Sequence, residues 1–311
     1  MKPAFNLMNK LPYKSVVDLA FHHVRQPSTK VSEPLIVNLH GLFGSARSFG
    51  ALGKRLANDL NTDVFNVDLR NHGRSPLAKP YDYLTLTRDL VHLLHTTVGE
   101  KRPIAIMGFS LGGKVALMSA LSRKINVVKC ISIDMPPYHL GDLSEDIKEN
   151  FNTIQSISNR LVKIKKGSKN WKESVLSIFR NLPVNCNPGT ALYFAQGFLE
   201  VKGNSKLFDP STDMDPYINY RIPRGEMTDI LEVVKKSPNI NELDPLEFRK
   251  STTVPVLFMR ALKSPLFVNS NDGLSAHFPN FTLKEFNTGH SIVTEAPTEF
   301  YKSCLKHLSA E

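Results

Sequence analysis

One pentapeptide narrows the folds open to this chain more than any other feature. Gly108-Phe109-Ser110-Leu111-Gly112 follows an apolar run, Ile104-Ala105-Ile106-Met107, and precedes a helix-compatible stretch, Lys114-Val115-Ala116-Leu117-Met118. A buried strand that turns sharply into a helix, with serine at the apex and glycine two positions to either side, has the form of a nucleophile elbow. The apex backbone must be strained for the hydroxyl to project from the sheet. A side chain two positions before or after it would collide with the neighbouring helix or strand, so glycine is required there. The same letters also fit a helix N-terminus capped by Ser110. The strand before them and the small residues after them (Gly112, Gly113, Ala116, Ser119, Ala120) favour the elbow.

The rest of the chain supplies the sheet that such an elbow needs. Apolar runs at 16–24, 35–39, 64–67, 104–109, 127–133, 254–259 and 281–286 read as strands. Several are continuous rather than alternating, as in strands buried on both faces of a parallel sheet. Helical patterns at 46–60, 84–98, 112–122 and 296–308 fall between them, which predicts an α/β protein with a mostly parallel sheet and helices on both faces. The alternation breaks from about 138 to 246. That region is helix-rich, charged and punctuated by prolines at 183, 188, 210, 216, 223, 238 and 245. It reads as a helical lid (138–246) inserted into a core made of 1–137 and 247–311. An ordinary second domain is the alternative, whereas a lid would exclude water and shape a pocket.

Composition excludes several classes. No apolar stretch is long and uncharged enough to cross a bilayer as a helix. The three cysteines, Cys130, Cys186 and Cys304, are far apart, give no disulfide framework or metal-ligand spacing, and point to a reducing compartment. The net charge of +10 is spread along the chain with no nucleic-acid module. Its densest cluster, Lys163, Lys165, Lys166, Lys169 and Lys172, reads as a solvated face, or else as an attraction for a phosphate-bearing acyl carrier. The first 17 residues hold Lys2, Lys10 and Lys14 and no acid, but also two prolines and little Arg or Ser. They leave mitochondrion and cytosol both open.

A serine hydroxyl needs a base to take its proton and an acid to fix that base, in the chain order Ser, acid, His. His290 follows the last predicted strand, and Gly289 permits a tight turn there. His277 precedes that strand, and His307 lies on the terminal helix and is expected to be exposed. The usual place for the acid, after the strand beyond the lid, reads Arg260-Ala261-Leu262-Lys263-Ser264-Pro265 and holds no carboxylate. Asp134 closes the preceding strand, at the edge of a parallel sheet where ligands bind, and is the predicted acid, with Asp272 the alternative. The oxyanion donors are expected to be the N–H groups of Leu111 and of Leu42, with Phe43 next, in the loop His40-Gly41-Leu42-Phe43-Gly44. Gly41 and Gly44 are expected to let this loop curl toward a substrate carbonyl, and His40 to brace it.

Taken together, His40-Gly41-Leu42-Phe43-Gly44-Ser45, Asp68-Leu69-Arg70-Asn71-His72-Gly73-Arg74-Ser75-Pro76 and Ser110-Leu111-Gly112-Gly113-Lys114 resemble the α/β-hydrolases along essentially the whole chain. Within them they resemble a group that contains bacterial acyl esterases, mitochondrial α/β-hydrolase-domain esterases and yeast ethanol acetyltransferases. The resemblance implies acyl transfer through an ester on Ser110, and an acid placed as Asp134 is. It also implies acetyl-CoA as acyl donor, an alcohol or water as acceptor, no bound cofactor or metal, and a mitochondrial location. The Arg70-Asn71-His72-Gly73 loop is expected to be a structural turn beside the site. Phe109 and Leu111 stand where members of this group usually carry His and Met, which makes the pocket wall more apolar. A non-catalytic binding protein on the same fold is the reading from another class.

Overall fold

The structure is a computed structural model and describes residues 14–27, 33–140, 145, 148–149, 170–180, 191, 193–194, 233–236, 238–267 and 271–309; the side chains of 171, 172, 175, 271 and 272 lie outside the description. Seven strands form one sheet: β1 (Phe21–Val24), β2 (Leu35–Leu39), β3 (Val64–Val67), β4 (Pro103–Phe109), β5 (Asn126–Ile133), β6 (Val256–Ala261) and β7 (Phe281–Phe286). Their spatial order is β1-β3-β2-β4-β5-β6-β7. Every neighbouring pair is parallel except β1 with β3.

The helices are α1 (Gly50–Leu60), α2 (Tyr83–Val98), α3 (Leu111–Leu121), α4 (Trp171–Arg180), α5 (Asn271–Ser275), α6 (Ile292–Glu295) and α7 (Pro297–Ser309). Alternate residues of the central strands feed two separate cores. Val37, Leu39, Ile104, Ile106, Cys130 and Phe258 pack with Leu86, Leu90, Val115 and Leu117 of α2 and α3. Ile36, Ala105, Met107, Ile131, Leu257 and Met259 pack with Leu56 of α1 and Phe300 and Cys304 of α7. Helices therefore cover both faces, and that double burial is why β4 reads as an unbroken apolar run and β2 as one interrupted only by Asn38, whose side-chain amide donates to Asn66 Oδ1 on β3 (2.8 Å).

The order fixes where chemistry can sit. From β2 the chain steps outward to β3 and then returns to the other side of β2 for β4. The carboxyl ends of β2 and β4 thus flank a topological switch point, where the connecting loops diverge and leave a crevice. The loop after β2 carries Gly41–Gly44 and the turn after β4 carries Ser110, so the two are neighbours by topology alone.

Three boundaries differ from expectation. The predicted strand 16–24 pairs only from Phe21, and antiparallel. Before it, Val17 N–H donates to Asp89 Oδ1 (2.8 Å) and Ala20 N–H to Ser75 Oγ (2.9 Å), so side chains take the place of a partner strand. The first predicted helix splits into a 3₁₀ turn (Ala46–Phe49) and α1, and the strand predicted over 254–259 is shifted to Val256–Ala261. The lid segment joins β5 to β6. Much of it lies outside the described residues, and of it α4 and a 3₁₀ turn (Ile240–Glu242) are regular. Among the described residues no helix is long and apolar enough to cross a membrane.

Candidate active site

Ser110 sits at φ 53° and ψ −118°, immediately before α3, and its side chain makes no cap hydrogen bond. The reading as a capped helix start is therefore set aside, and the elbow holds. The flanking glycines are sterically required. A Cβ on Gly108 would stand 2.0 Å from Gly112 O, and one on Gly112 2.4 Å from Leu39 O. The apex is tied to β5, where Ser110 N–H donates to Ile133 O (3.0 Å). Ser110 Oγ makes no hydrogen bond among the described residues.

Asp134 closes β5, fully buried and with φ 48°. Its N–H donates to Met259 O (2.8 Å), and its Oδ1 accepts from Ala261 N–H (2.9 Å) at the end of β6. The carboxylate thus reaches the spot where the missing acid of the next strand would stand, because β5 and β6 are adjacent. Its Oδ2 accepts from His290 Nδ1–H at 2.7 Å. A carboxylate only accepts, so the proton lies on Nδ1 and the Nε2 lone pair faces outward. The loop that carries His290 is pinned at both ends. Lys263 N–H donates to Thr288 O (3.0 Å), and Gly289 N–H donates to a Glu295 oxygen (2.8 Å). The imidazole packs on Phe109, the residue before Ser110, with ring centroids 4.8 Å apart and the planes tilted by 34°. Catalytic hydrogen bonds are often long in unliganded enzymes and tighten around substrate.

Two more histidines support the loop after β2. His40 Nδ1–H donates to Gly41 O (2.8 Å), and its Nε2 accepts from Leu69 N–H (3.0 Å). His72 Nδ1–H donates to Arg70 O (2.9 Å), and its Nε2 accepts from Phe43 N–H (3.3 Å). Burial holds both neutral, His40 lowered to about 4 and His72 to about 3. Phe43 N–H is therefore taken by His72. The sharp turn falls on Phe43 (φ 66°) rather than on either glycine.

The Asp68–Pro76 segment is a brace. Asp68 accepts from Ala46 N–H (2.6 Å) and Arg74 N–H (3.0 Å), and its carboxyl is raised by burial. Arg70 is fully buried, donating to both oxygens of Asp89 (2.7 and 2.8 Å) and to the Lys14 and Pro80 carbonyls. Lys114, one turn into α3, is also buried and donates to the carbonyls of Pro136 and Tyr138, just beyond Asp134.

His277 is bound at the opposite edge of the sheet, where its Nδ1–H donates to Lys250 O (2.7 Å). His307, expected to be exposed, is half-buried, and burial with nearby Lys129 lowers its pKa. The side chains of Asp272 and Lys172 lie outside the described residues, as do Lys163, Lys165, Lys166, Lys169 and Cys186. Sequence reasoning missed Tyr193. Its ring packs edge-on against Phe109 (5.7 Å), and its hydroxyl lies against the Gly41 and Gly44 positions. Tyr193 sits in no motif, and only its contact across the fold identifies it.

The family described as alpha/beta hydrolase fold matches residues 34–297. The chain is 30% identical over 301 residues to "Ethanol acetyltransferase 1" of Eremothecium cymbalariae, covering 95% of this chain and 78% of that protein. It is 31% identical to the protein of the same name from Kluyveromyces lactis, with 95% and 80% covered. It is 27% identical to a "Probable alcohol acetyltransferase" of Wickerhamomyces anomalus, with 96% and 87% covered. Among solved structures, a marine microorganism esterase superposes with a TM-score of 0.72 at 20% identity, covering 94% of this chain and 99% of that one, which speaks to the fold alone. The chain belongs to the α/β-hydrolase family and is an enzyme of the acyltransferase or esterase kind.

Proposed function

We propose that the chain is a serine-dependent alcohol O-acetyltransferase that makes ethyl acetate from acetyl-CoA and ethanol, with thioesterase and esterase side activity. The observation that carries this reading is the 2.7 Å hydrogen bond from His290 to buried Asp134 beside a strained Ser110. In the first half-reaction Ser110 Oγ attacks the acetyl carbonyl while His290 Nε2 takes its proton. The N–H groups of Leu42 and Leu111 receive the oxyanion. Collapse expels the coenzyme A thiolate, which takes the proton back from His290, and leaves acetyl-Ser110. Ethanol then attacks this ester, giving its proton to His290, and collapse releases ethyl acetate and restores Ser110. Water in place of ethanol gives acetate.

Support for the alcohol acceptor comes from the acetyltransferase names of the relatives. It also comes from the aromatic surroundings of Ser110, where Phe109, Tyr193 and Phe194 pack together and disfavour water. The likeness to yeast enzymes also supports a mitochondrial location. The test gives purified protein acetyl-CoA with and without ethanol, and follows ethyl acetate, acetate and free thiol. Ethyl acetate is expected from the wild type and from no Ser110→Ala sample. Acetate alone at high ethanol would leave a hydrolase, and full turnover by Ser110→Ala would remove the serine mechanism.

A further inference from the structure

Tyr193 carries a buried hydroxyl that the scheme above does not use. Its Oη is closed to water; the Gly41 backbone faces the oxygen, and the hydroxyl proton has no acceptor among the described residues. A buried hydroxyl whose proton has no acceptor is costly and calls for an explanation. Its place is specific. A Cβ on Gly44 would lie 2.3 Å from Tyr193 Oη, and one on Gly41 would lie 2.9 Å from Oη and 3.1 Å from Ser110 Cβ. The glycines therefore do not serve to turn the loop, whose left-handed residue is Phe43. They clear the room into which a phenol from the segment between β5 and β6 inserts, on the side of the loop that faces the nucleophile.

The ring is held there. It meets Phe109 edge-on and Phe194 at 5.9 Å, and Phe194 in turn packs on Phe43 and on fully buried Phe179 of α4. The hydroxyl is thus aimed by an aromatic scaffold, with the Gly41 backbone beside its oxygen. Burial raises its pKa well above the ordinary phenol range, so at working pH it is a donor that keeps its proton. Tyr81 also carries a buried hydroxyl without a partner among the described residues; it packs on His72 and lies close enough to Tyr193 for burial of the two phenols to raise both.

We infer that Tyr193 Oη–H is a third hydrogen-bond donor to the acyl oxygen at Ser110, joining the N–H groups of Leu42 and Leu111. This rests on the serine mechanism proposed above. The phenol donates without transferring its proton, and its bond strengthens as the carbonyl becomes an oxyanion, so it lowers the barrier rather than tightening binding.

The test compares the full-length wild type, Tyr193→Phe and Ser110→Ala, reading kcat and KM for p-nitrophenyl acetate and the melting temperature. Tyr193→Phe keeps the ring and its packing. Its kcat is expected to fall about 10- to 100-fold with KM nearly unchanged, and its melting temperature to hold or rise because an unpaired hydroxyl is gone. Three results overturn the donor role: kcat within twofold of wild type, a rise in KM alone, or a loss of several degrees in melting temperature alongside the loss of kcat, the last marking a structural hydroxyl. An inactive wild type, or an active Ser110→Ala, would instead overturn the serine mechanism, whatever Tyr193→Phe does.

Discussion

His72 and His290 are the same side chain put to opposite ends, and the difference lies in how many of their nitrogens are occupied. His72 is buried, and both ring nitrogens are matched by backbone groups, one donating to Arg70 O and one accepting from Phe43 N–H. His40 beside it is satisfied in the same way. Their tautomers are fixed, burial disfavours the charged form, and a proton has nowhere to go. His290 keeps a third of its side chain exposed and uses one nitrogen, held by Asp134. Its second nitrogen has no partner among the described residues. A histidine that can carry a proton is the one the fold leaves half-employed, whereas full satisfaction marks a brace.

The strongest way to break this contrast is to exchange the roles by mutation. His290→Gln should lower kcat by roughly 10⁴- to 10⁶-fold, with the melting temperature within a few degrees of wild type. Turnover surviving in that variant would mean the open nitrogen is not the base. Asp134→Asn comes next. The amide oxygen can still accept from Ala261, so the end of β5 should stay in place while His290 loses the partner that sets its tautomer. A fall in kcat of about 10⁴-fold is expected. If Asp134→Asn is active and Asp272→Asn is not, the acid comes from the loop before β7 after all.

The half-employed histidine was legible in the sequence, and so was most of its frame. The elbow could be read because Gly108 answers a collision within its own turn and the spacing around Ser110 carries Gly112 with it, and β2 and β4 because burial on both faces leaves Asn38 as their only polar side chain. His290 could be placed from chain order. What escaped the sequence depends on contacts between distant residues. Residues 16–20 look like strand because Val17 and Leu19 are buried, yet the N–H groups of Val17 and Ala20 bond to the side chains of Asp89 and Ser75. The use of Gly41 and Gly44 was misjudged for the same reason. The group that needs their space belongs to Tyr193, some 150 residues later. His307 follows suit, since a helix pattern shows a polar position but not the Lys129 side of β5 against which it is half-buried.

The smallest effect tests the brace itself, and it is a matter of pH. His40 and His72 ionise near 4 and 3 in the fold, against 6.5 in an unfolded chain. Below 6.5 the unfolded state takes up protons that the fold refuses, so the stability these groups provide is fully present above that pH and drains away as the pH falls toward 4. The slope is about 1.4 kcal/mol per pH unit for each group, or about 2 kcal/mol apiece by pH 5. Asp68 and Asp89, raised by burial, take up protons first in the fold and oppose the trend at its lower end, which makes pH 6.5 to 5 the informative window. Urea midpoints of the wild type should fall across it. His72→Gln should cost about 1–3 kcal/mol at pH 7, through the weakened acceptor for Phe43 N–H, and should show a smaller fall than the wild type, with His40 and half-buried His307 supplying the rest. Its kcat should stay close to normal wherever it is folded. A His72→Gln enzyme that is equally stable and equally pH-sensitive but inactive would reverse the assignment, making His72 a participant in the chemistry and leaving the count of occupied nitrogens without meaning.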